Sequence, residues 1–380
     1  MVKKQSGNTQ YLNIAMLGQK TVPARDSSRG GVEVVVEELS TRMVAQGHDV
    51  TCYNRTGCDN GGLNEYKGVK LKSVWTIHKK GFAAMTSSFF AAFFAAIGKY
   101  DVVHFHAEGP CVMLWLPKLF GKRCVVTIHG LDWQREKWGK GVGSGYIKFG
   151  EKAAVKHADE IIVLSRGAQN YFWKTYHRRT VFIPNGANRQ EIRDAVEIKE
   201  KFGLEKDSYI LFMGRIVPEK GLRYLLEAYK SLKTEKKLVI VGGSSDTDEF
   251  AEKLKEIADE NVIFTGFVTG RLREELYSNA YIYVLPSDLE GMPLSLLEAM
   301  SFGNCCVVSN IQECSEVVED KAVVFQQSNV EELQEKLQEL CDNSEVVDRY
   351  KGEASAFICA KYNWDDVVRE TVKVYMGVNT

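Results

Sequence analysis

The sequence predicts an α/β protein of two units, each a mostly parallel sheet covered by helices on both faces. Three observations predict it. The length of 380 residues exceeds what one hydrophobic core usually organises. Short apolar runs with strand character alternate with stretches of helical periodicity. Two places, one opening each half, read as strand, glycine-bearing loop, helix, the start of a Rossmann-like unit.

Composition is that of an ordinary globular protein, and 49 Lys and Arg nearly cancel 50 Asp and Glu. Their distribution is uneven. Residues 1–190 carry 27 basic and 14 acidic side chains, and the remainder 22 and 36. A basic first half suits an anionic membrane surface or phosphate-bearing substrates. A solvated surface, or attraction between the halves, fits the same count. The nine cysteines are scattered without a C-x-x-C pair, and several fall in apolar runs. They read as small buried thiols of a reducing compartment rather than a disulfide framework or a zinc site. The N-terminus, MVKKQSGNTQ, lacks an apolar signal region.

In order, Tyr11–Leu17 is the first strand candidate, followed by the loop GQKTVPARDSSRGG and a helical segment. Gly30 and Gly31 fall at that helix start, where backbone can approach a phosphate closely. They do not form a G-x-G-x-x-G, so a dinucleotide fingerprint is absent. Further β-like runs follow at 49–54, 69–74, 101–105, 124–128 and 160–164. Gly81 to Gly98 is uncharged and nearly long enough to span a bilayer, but Thr86, Ser87, Ser88 and many alanines predict a buried or cleft-lining helix. An interfacial helix beside Lys79 and Lys80 is the other reading. His104, His106 and His129 stand at or just beyond strand ends without the spacing of a metal site. The loop LDWQREKWGKG joins Asp132 to Trp133, Arg135, Lys137, Trp138 and Lys140. Aromatic faces stack on sugar rings and cations hold phosphate.

In the second half, YILFMG is a strand and GRIVPEKG its loop, with Arg215 and Lys220 as cations suited to a diphosphate. The DTD at 246–248 precedes a helical segment and reads as a helix cap. Asn261–Thr265 is a strand, with Gly266-Phe267-Val268 at its end. YIYVLPSD is another strand, and EGMPLSLLE follows. Pro293 suits the first turn of the next helix. That puts Glu290 in the loop and Glu298 about a turn and a half into the helix. Residues 329–342, 345–360 and the final YNWDDVVRETVKVYMG read as helices.

The Glu-x7-Glu of Glu290 and Glu298 and the G-R-x4-K-G around Arg215 and Lys220 resemble elements of the retaining glycosyltransferases of family 4. So do the Gly30-Gly31 pair followed by Val32-Glu33, Gly47-His48-Asp49-Val50, VVTIHG, ADEIIVLSRG and FIPNGAN. The resemblance runs over nearly the whole chain. It implies the GT-B fold: two Rossmann-like domains facing a central cleft. Residues 1–187 would form the acceptor side, with 362–380 packing back on it, and 188–361 the nucleotide-sugar side.

The resemblance also implies roles. Arg215 and Lys220 would neutralise the leaving diphosphate, Glu290 would hold sugar hydroxyls near the reacting carbon, and His129 would touch the sugar. Gly30, Gly31, Phe267, Val268, Met292, Pro293, Leu294 and Glu298 would complete the donor site, with Glu298 accepting from ribose. Asp132, Trp133 and Arg135 are acceptor candidates. Met292-Pro293 replaces a frequent glycine, which weakens the expectation of backbone contacts to the sugar there. The implied reaction is retaining transfer of a hexosyl or deoxyhexosyl group from a nucleotide-diphosphate sugar, without metal or other cofactor. The region GLDWQREKWG resembles exopolysaccharide and rhamnosyl transferases. The implied acceptor is therefore a glycan or polyprenyl-linked acceptor in surface polysaccharide (capsule) synthesis, with no nucleic-acid partner. The expected location is cytoplasmic, peripheral at the inner face of the membrane. A nucleotide-sugar epimerase of the same fold and a non-catalytic nucleotide-sugar-binding subunit are the rival readings. Base, sugar, acceptor and linkage stay open.

Overall fold

The computed structural model describes residues 11–25, 30–79, 82–134, 142–244 and 248–378. Its first sheet uses β1 (Asn13–Leu17), β2 (Asp49–Arg55), β3 (Glu65–Tyr66), β4 (Val69–Val74), β5 (Val102–His106), β6 (Arg123–Ile128), β7 (Glu160–Val163) and β8 (Val181–Phe182). The second uses β9 (Tyr209–Met213), β10 (Lys237–Val241), β11 (Val262–Gly266), β12 (Ile282–Leu285), β13 (Cys305–Ser309) and β14 (Val323–Phe325). Strand order is β3-β4-β2-β1-β5-β6-β7-β8 in the first and β11-β10-β9-β12-β13-β14 in the second. Every pairing is parallel except β3 with β4. Parallel strands need helical crossovers, which bury both sheet faces, so β9, β12 and β13 read as nearly continuous apolar runs.

The strand expectations hold to within two residues. The short strands β3, β8 and β14 were not anticipated: two or three residues carry no readable period.

Two cores flank the first sheet. On one face Ala15, Val103 and Val126 pack against Ala91, Ala95 and Ala154. On the other, Ile14, Met16 and Val125 pack against Val36, Leu39 and the final helix Trp364–Met376. That helix returns after the second sheet is complete. At its entry the Ala187 N–H donates to the Tyr362 carbonyl at 2.7 Å. Near its end Arg123 Nη2 donates to the Val374 carbonyl at 2.9 Å. A side chain at Gly186 would collide with Trp364, so the crossing point needs glycine there.

Gly81 to Gly98 departs from expectation. The helix Phe82–Ile97 buries Ser87, Ala91, Ala92 and Ala95 against the sheet but leaves Phe82, Phe89, Phe93 and Phe94 outward. It is buried on its small-residue side alone and is absent from the lining of the cleft described below. Among the described residues no helix is long and apolar enough to cross a membrane.

Candidate active site

Strands β9 and β12 are neighbours, so their carboxyl-end loops emerge side by side, where ligands bind in open α/β sheets. The β9 loop closes with a short helical turn at Pro218–Lys220, and Gly221 leaves it at φ +67°. A Cβ on Gly221 would lie 1.9 Å from the Pro286 carbonyl, so only glycine lets the loops touch. The Asp288 N–H donates to the Glu219 carbonyl at 2.9 Å, and Tyr224 OH to Asp288 Oδ2 at 3.1 Å.

This lacing brings Lys220 Nζ against Glu290 Oε1, with side chains 11% and 9% exposed. Ser287 Oγ donates to the same carboxylate oxygen at 2.7 Å. Arg215, Lys220, Glu290 and Gly291 then line an open cleft whose other wall includes Gly130 and Leu131 from the β6 end.

The Gly291–Leu294 segment is a contact point between the two halves. A Cβ on Gly291 would sit 1.8 Å from the His129 carbonyl. The Asn185 N–H donates to Met292 Sδ at 3.0 Å, and Leu294 lies against Gly31. Met292 therefore serves the crossing segment, which accounts locally for a side chain where glycine is frequent. Pro293 is not in the first helical turn. It is the N-cap of Leu294–Ser301, at φ −77° and ψ 100°, and its carbonyl accepts the first helical bonds from Leu296 and Leu297.

Glu298 lies in that helix at the expected depth. It pairs with Arg273 and accepts from Tyr277 OH at 3.4 Å, outside the cleft lining. Neither partner was anticipated, because the helix Gly270–Ser278 that carries them shows no motif. Phe267 is exposed and Val268 half-buried beyond β11, two strands from β9. The intervening turn connects them: a Cβ on Gly242 would lie 1.8 Å from the Gly214 carbonyl, and the Gly242 N–H donates to the Gly266 carbonyl at 3.0 Å. Phe267, Gly242, Arg215 and Glu290 thus follow one shelf along the carboxyl edge of the second sheet.

Across the cleft, Gly30 caps the helix Gly31–Ala45 in extended conformation. The carboxylate of the buried Glu33 folds back over it: Glu33 Oε1 accepts from the Lys20 N–H at 2.9 Å, and any Cβ on Gly30 would meet Glu33 Oε2. His129 Nε2 lies 3.0 Å from His106 Nδ1, and His106 packs against His104 with ring centroids 4.1 Å apart and planes tilted by 39°. His104 in turn contacts Thr127 Oγ1 at 2.8 Å and Tyr375 OH of the final helix at 2.6 Å. Burial, then the neighbouring imidazole of His129, pushes His104 down to about 3. Burial, then His104 and His129, also holds His106 well below the usual range. Among the described residues no three His, Cys, Asp or Glu side chains are placed to hold a metal ion.

Asp132 and Trp133 begin the loop read as acceptor-binding. The Asp132 N–H donates to Glu108 Oε2 at 3.1 Å, and Trp133 Nε1 to Glu151 Oε2 at 3.2 Å. The Lys148 ammonium sits 4.4 Å from the Trp133 ring, so one face of that ring is taken. Tyr171 OH, at 2.9 Å, and Tyr176 OH also donate to Glu151. Glu108 and Glu151 are fully buried. Burial, then the carboxylates of Asp132 and Glu151, raises Glu108 well above the usual carboxyl range. Both acids lie in helix-like surroundings without a motif, so sequence carried no signal for them. Arg135, Lys137, Trp138 and Lys140 lie outside the described residues, as do Asp246 and Thr247 of the DTD. Asp248 opens the helix Asp248–Ile257 and accepts from Ser244 Oγ.

Two family descriptions divide the chain between them. Residues 29–191 match Glycosyltransferase Family 4, and residues 194–357 match Glycosyl transferases group 1. The chain belongs to glycosyltransferase family 4. This family 4 glycosyltransferase is 25% identical over 376 residues to an uncharacterized glycosyltransferase of Methanocaldococcus jannaschii, covering 91% of this chain and 94% of that one. It is 32% identical over 230 residues to the UDP-Gal:alpha-D-GlcNAc-diphosphoundecaprenol alpha-1,3-galactosyltransferase of Escherichia coli, covering 56% of this chain and 58% of that one. Its fold superposes on the sucrose-phosphate synthase of Thermosynechococcus elongatus with a TM-score of 0.83 at 20% identity, over 97% and 99% of the two chains. Anabaena HepE, solved in complex with UDP-glucose, gives 0.80 at 16% identity, over 97% and 100%. The architecture of this family 4 glycosyltransferase is GT-B.

Proposed function

We propose that this glycosyltransferase moves a hexosyl or deoxyhexosyl group from a nucleotide-diphosphate sugar to a glycan or polyprenyl-linked acceptor, with retained anomeric configuration and without a metal ion. The observation that carries the reading is the convergence of Arg215, Lys220 and Glu290 on one cleft between the sheets. Breaking the glycosidic bond puts growing negative charge on a nucleoside diphosphate. Arg215 offers a planar fork of donors and Lys220 a compact charge, and both gain most as that charge develops. Glu290, steadied by Lys220 and Ser287, presents its remaining acceptor capacity to hydroxyls of the transferred ring. Glu298, in the helix that follows, would accept from ribose while Arg273 holds it in place.

The acceptor side would be residues 1–187 with 362–380, and the donor side 188–361. A glycan carried on a polyprenyl diphosphate is the acceptor class favoured by the resemblance of the 130–139 region and by the Escherichia coli galactosyltransferase, whose name contains such an acceptor. On this reading the reaction runs at the inner face of a membrane, in surface polysaccharide synthesis.

The experiment is turnover of a nucleotide-sugar panel with wild type, Arg215→Ala and Glu290→Ala. Each substitution is expected to lower kcat by about 100-fold or more. Excess EDTA should leave the wild-type rate unchanged, and NMR of the first product should show the donor's anomeric configuration. Full activity in both variants would refute the site; an inverted product would refute retention.

A further inference from the structure

The helix Phe82–Ile97 reverses the usual order of a surface helix. Its sixteen residues contain no charge. The side against the sheet is small, built from Ser87, Ser88, Ala91, Ala92, Ala95 and Ala96. The side facing away carries Phe82, Phe89, Phe93, Phe94 and Ile97, each between 41% and 55% exposed. Small residues inside let the helix lie close to the sheet, and the bulk is left in water. The short helix Trp115–Leu119 packs beside it and adds exposed Trp115, Leu119 and Phe120. A contiguous apolar area of this kind marks an interaction surface.

The same layer holds the helix Val142–His157, since Ala91, Ala95, Ala154 and Ala158 share one core. Its outward side carries Phe149 among Lys148, Lys152 and Lys156, at four-residue steps along one stripe. Lys79 and Lys99 stand exposed at the two ends of the aromatic helix. Residues 66–100 contain six lysines and no acid, and 109–131 contain no acid either.

We propose that the outer face formed by these three helices docks on an anionic lipid bilayer, aromatic side chains entering the headgroup boundary and the lysine stripe meeting lipid phosphates. Charge decides between a bilayer and a protein partner. Three helices that expose no acid, with lysines around bare phenyl rings, complement an anionic plane, and the rings supply no hydrogen-bonding groups for register with a protein. The contact lies on the outer layer of the first sheet, apart from Arg215 and Glu290, so it is independent of the donor-site reading.

The test is flotation of the full chain with vesicles of phosphatidylcholine alone or with about 30% phosphatidylglycerol, across a salt series. Wild type should float with the anionic vesicles and dissociate as salt rises. Phe89→Ser/Phe93→Ser/Phe94→Ser and, separately, Lys152→Glu/Lys156→Glu should each bind at least about tenfold more weakly. Unchanged melting temperatures would show that the variants fold. Emission from Trp75 and Trp115, read in single-tryptophan variants, should be quenched by brominated lipid. Absence of wild-type binding, equal binding by the aromatic variant, or a wild-type dimer that the aromatic variant converts to monomer would overturn the proposal, the last in favour of a second copy of this chain.

Discussion

Lys220 and Glu290, seventy residues apart, form an ion pair at the meeting of two adjacent strand ends, with both side chains nearly buried. Each charge compensates the other's loss of water. Removing one leaves its partner stranded, which typically destabilises by about 3 kcal/mol or more. Lys220→Ala and Glu290→Ala should therefore each lower stability by that order. The double variant should lose clearly less than the sum, by at least about 1 kcal/mol. Urea unfolding of the four proteins measures the cycle. Additive losses would mean that the pair is not coupled.

Gly291→Ala tests the contact between the sheets. Its Cβ would fall 1.8 Å from the His129 carbonyl, a separation no real contact tolerates. The β6 end and the 290–294 segment must then move apart, shifting Glu290 relative to the other wall. Transfer should fall by about 100-fold, since misplacement by roughly 1 Å costs that much. Gly243→Ala, with open space around its Cβ, is the control and should remain active. Equal rates for the two variants would contradict the geometry.

The packed histidines predict acid sensitivity. His104 is held near 3 when folded, against an ordinary value of 6.5. Above 6.5 both folded and unfolded states carry it neutral, and its stabilising contribution is complete. As pH falls below 6.5 only the unfolded chain takes the proton, so stability declines until the folded value is reached. Between pH 7.5 and 5.5 this amounts to about 1.4 kcal/mol for one such site. His104→Gln should show a pH dependence smaller by about that amount in urea midpoints, and an unchanged dependence would place the imidazole in water.

Glu108 and Glu151 should respond in opposite ways. Glu108 has its folded pKa raised above the ordinary 4.5 by burial and neighbouring acids. Stability is therefore lost as pH rises above 4.5, where only the unfolded chain ionises. Glu108→Gln keeps an acceptor for the Asp132 N–H and cannot ionise, so it should gain at least about 1 kcal/mol at pH 8 and little at pH 5. Glu151→Gln halves the acceptor capacity that serves Trp133, Tyr171 and Tyr176. It should lose about 2 kcal/mol through the hydrogen bonds given up. Matching behaviour of the two variants would contradict this assignment of the proton.

The fold was legible because parallel strands buried on both faces print as uninterrupted apolar runs, as in YILFM and CCVVS. The neighbourhood of Arg215, Lys220 and Glu290 was legible from their positions just past strand ends, where topology alone makes loops converge. Their pairing was not, since a charge's partner depends on loop closure at Gly221. Nor was the direction in which Phe82–Ile97 faces: an uncharged run has no polar stripe to mark its solvent side. Tyr375, Glu108 and Glu151 escaped because each acts through a partner distant in sequence, His104 at 271 residues being the extreme.

The central claim is that the donor's diphosphate lies on Arg215 and Lys220 with the sugar against Glu290. A crystal structure with the nucleotide sugar that most raises the melting temperature tests it most directly. The account predicts phosphate oxygens at about 2.7–3.1 Å from both cations and a sugar hydroxyl at similar distance from Glu290. A diphosphate bound away from the β9 loop, with the Lys220–Glu290 pair untouched, would contradict it.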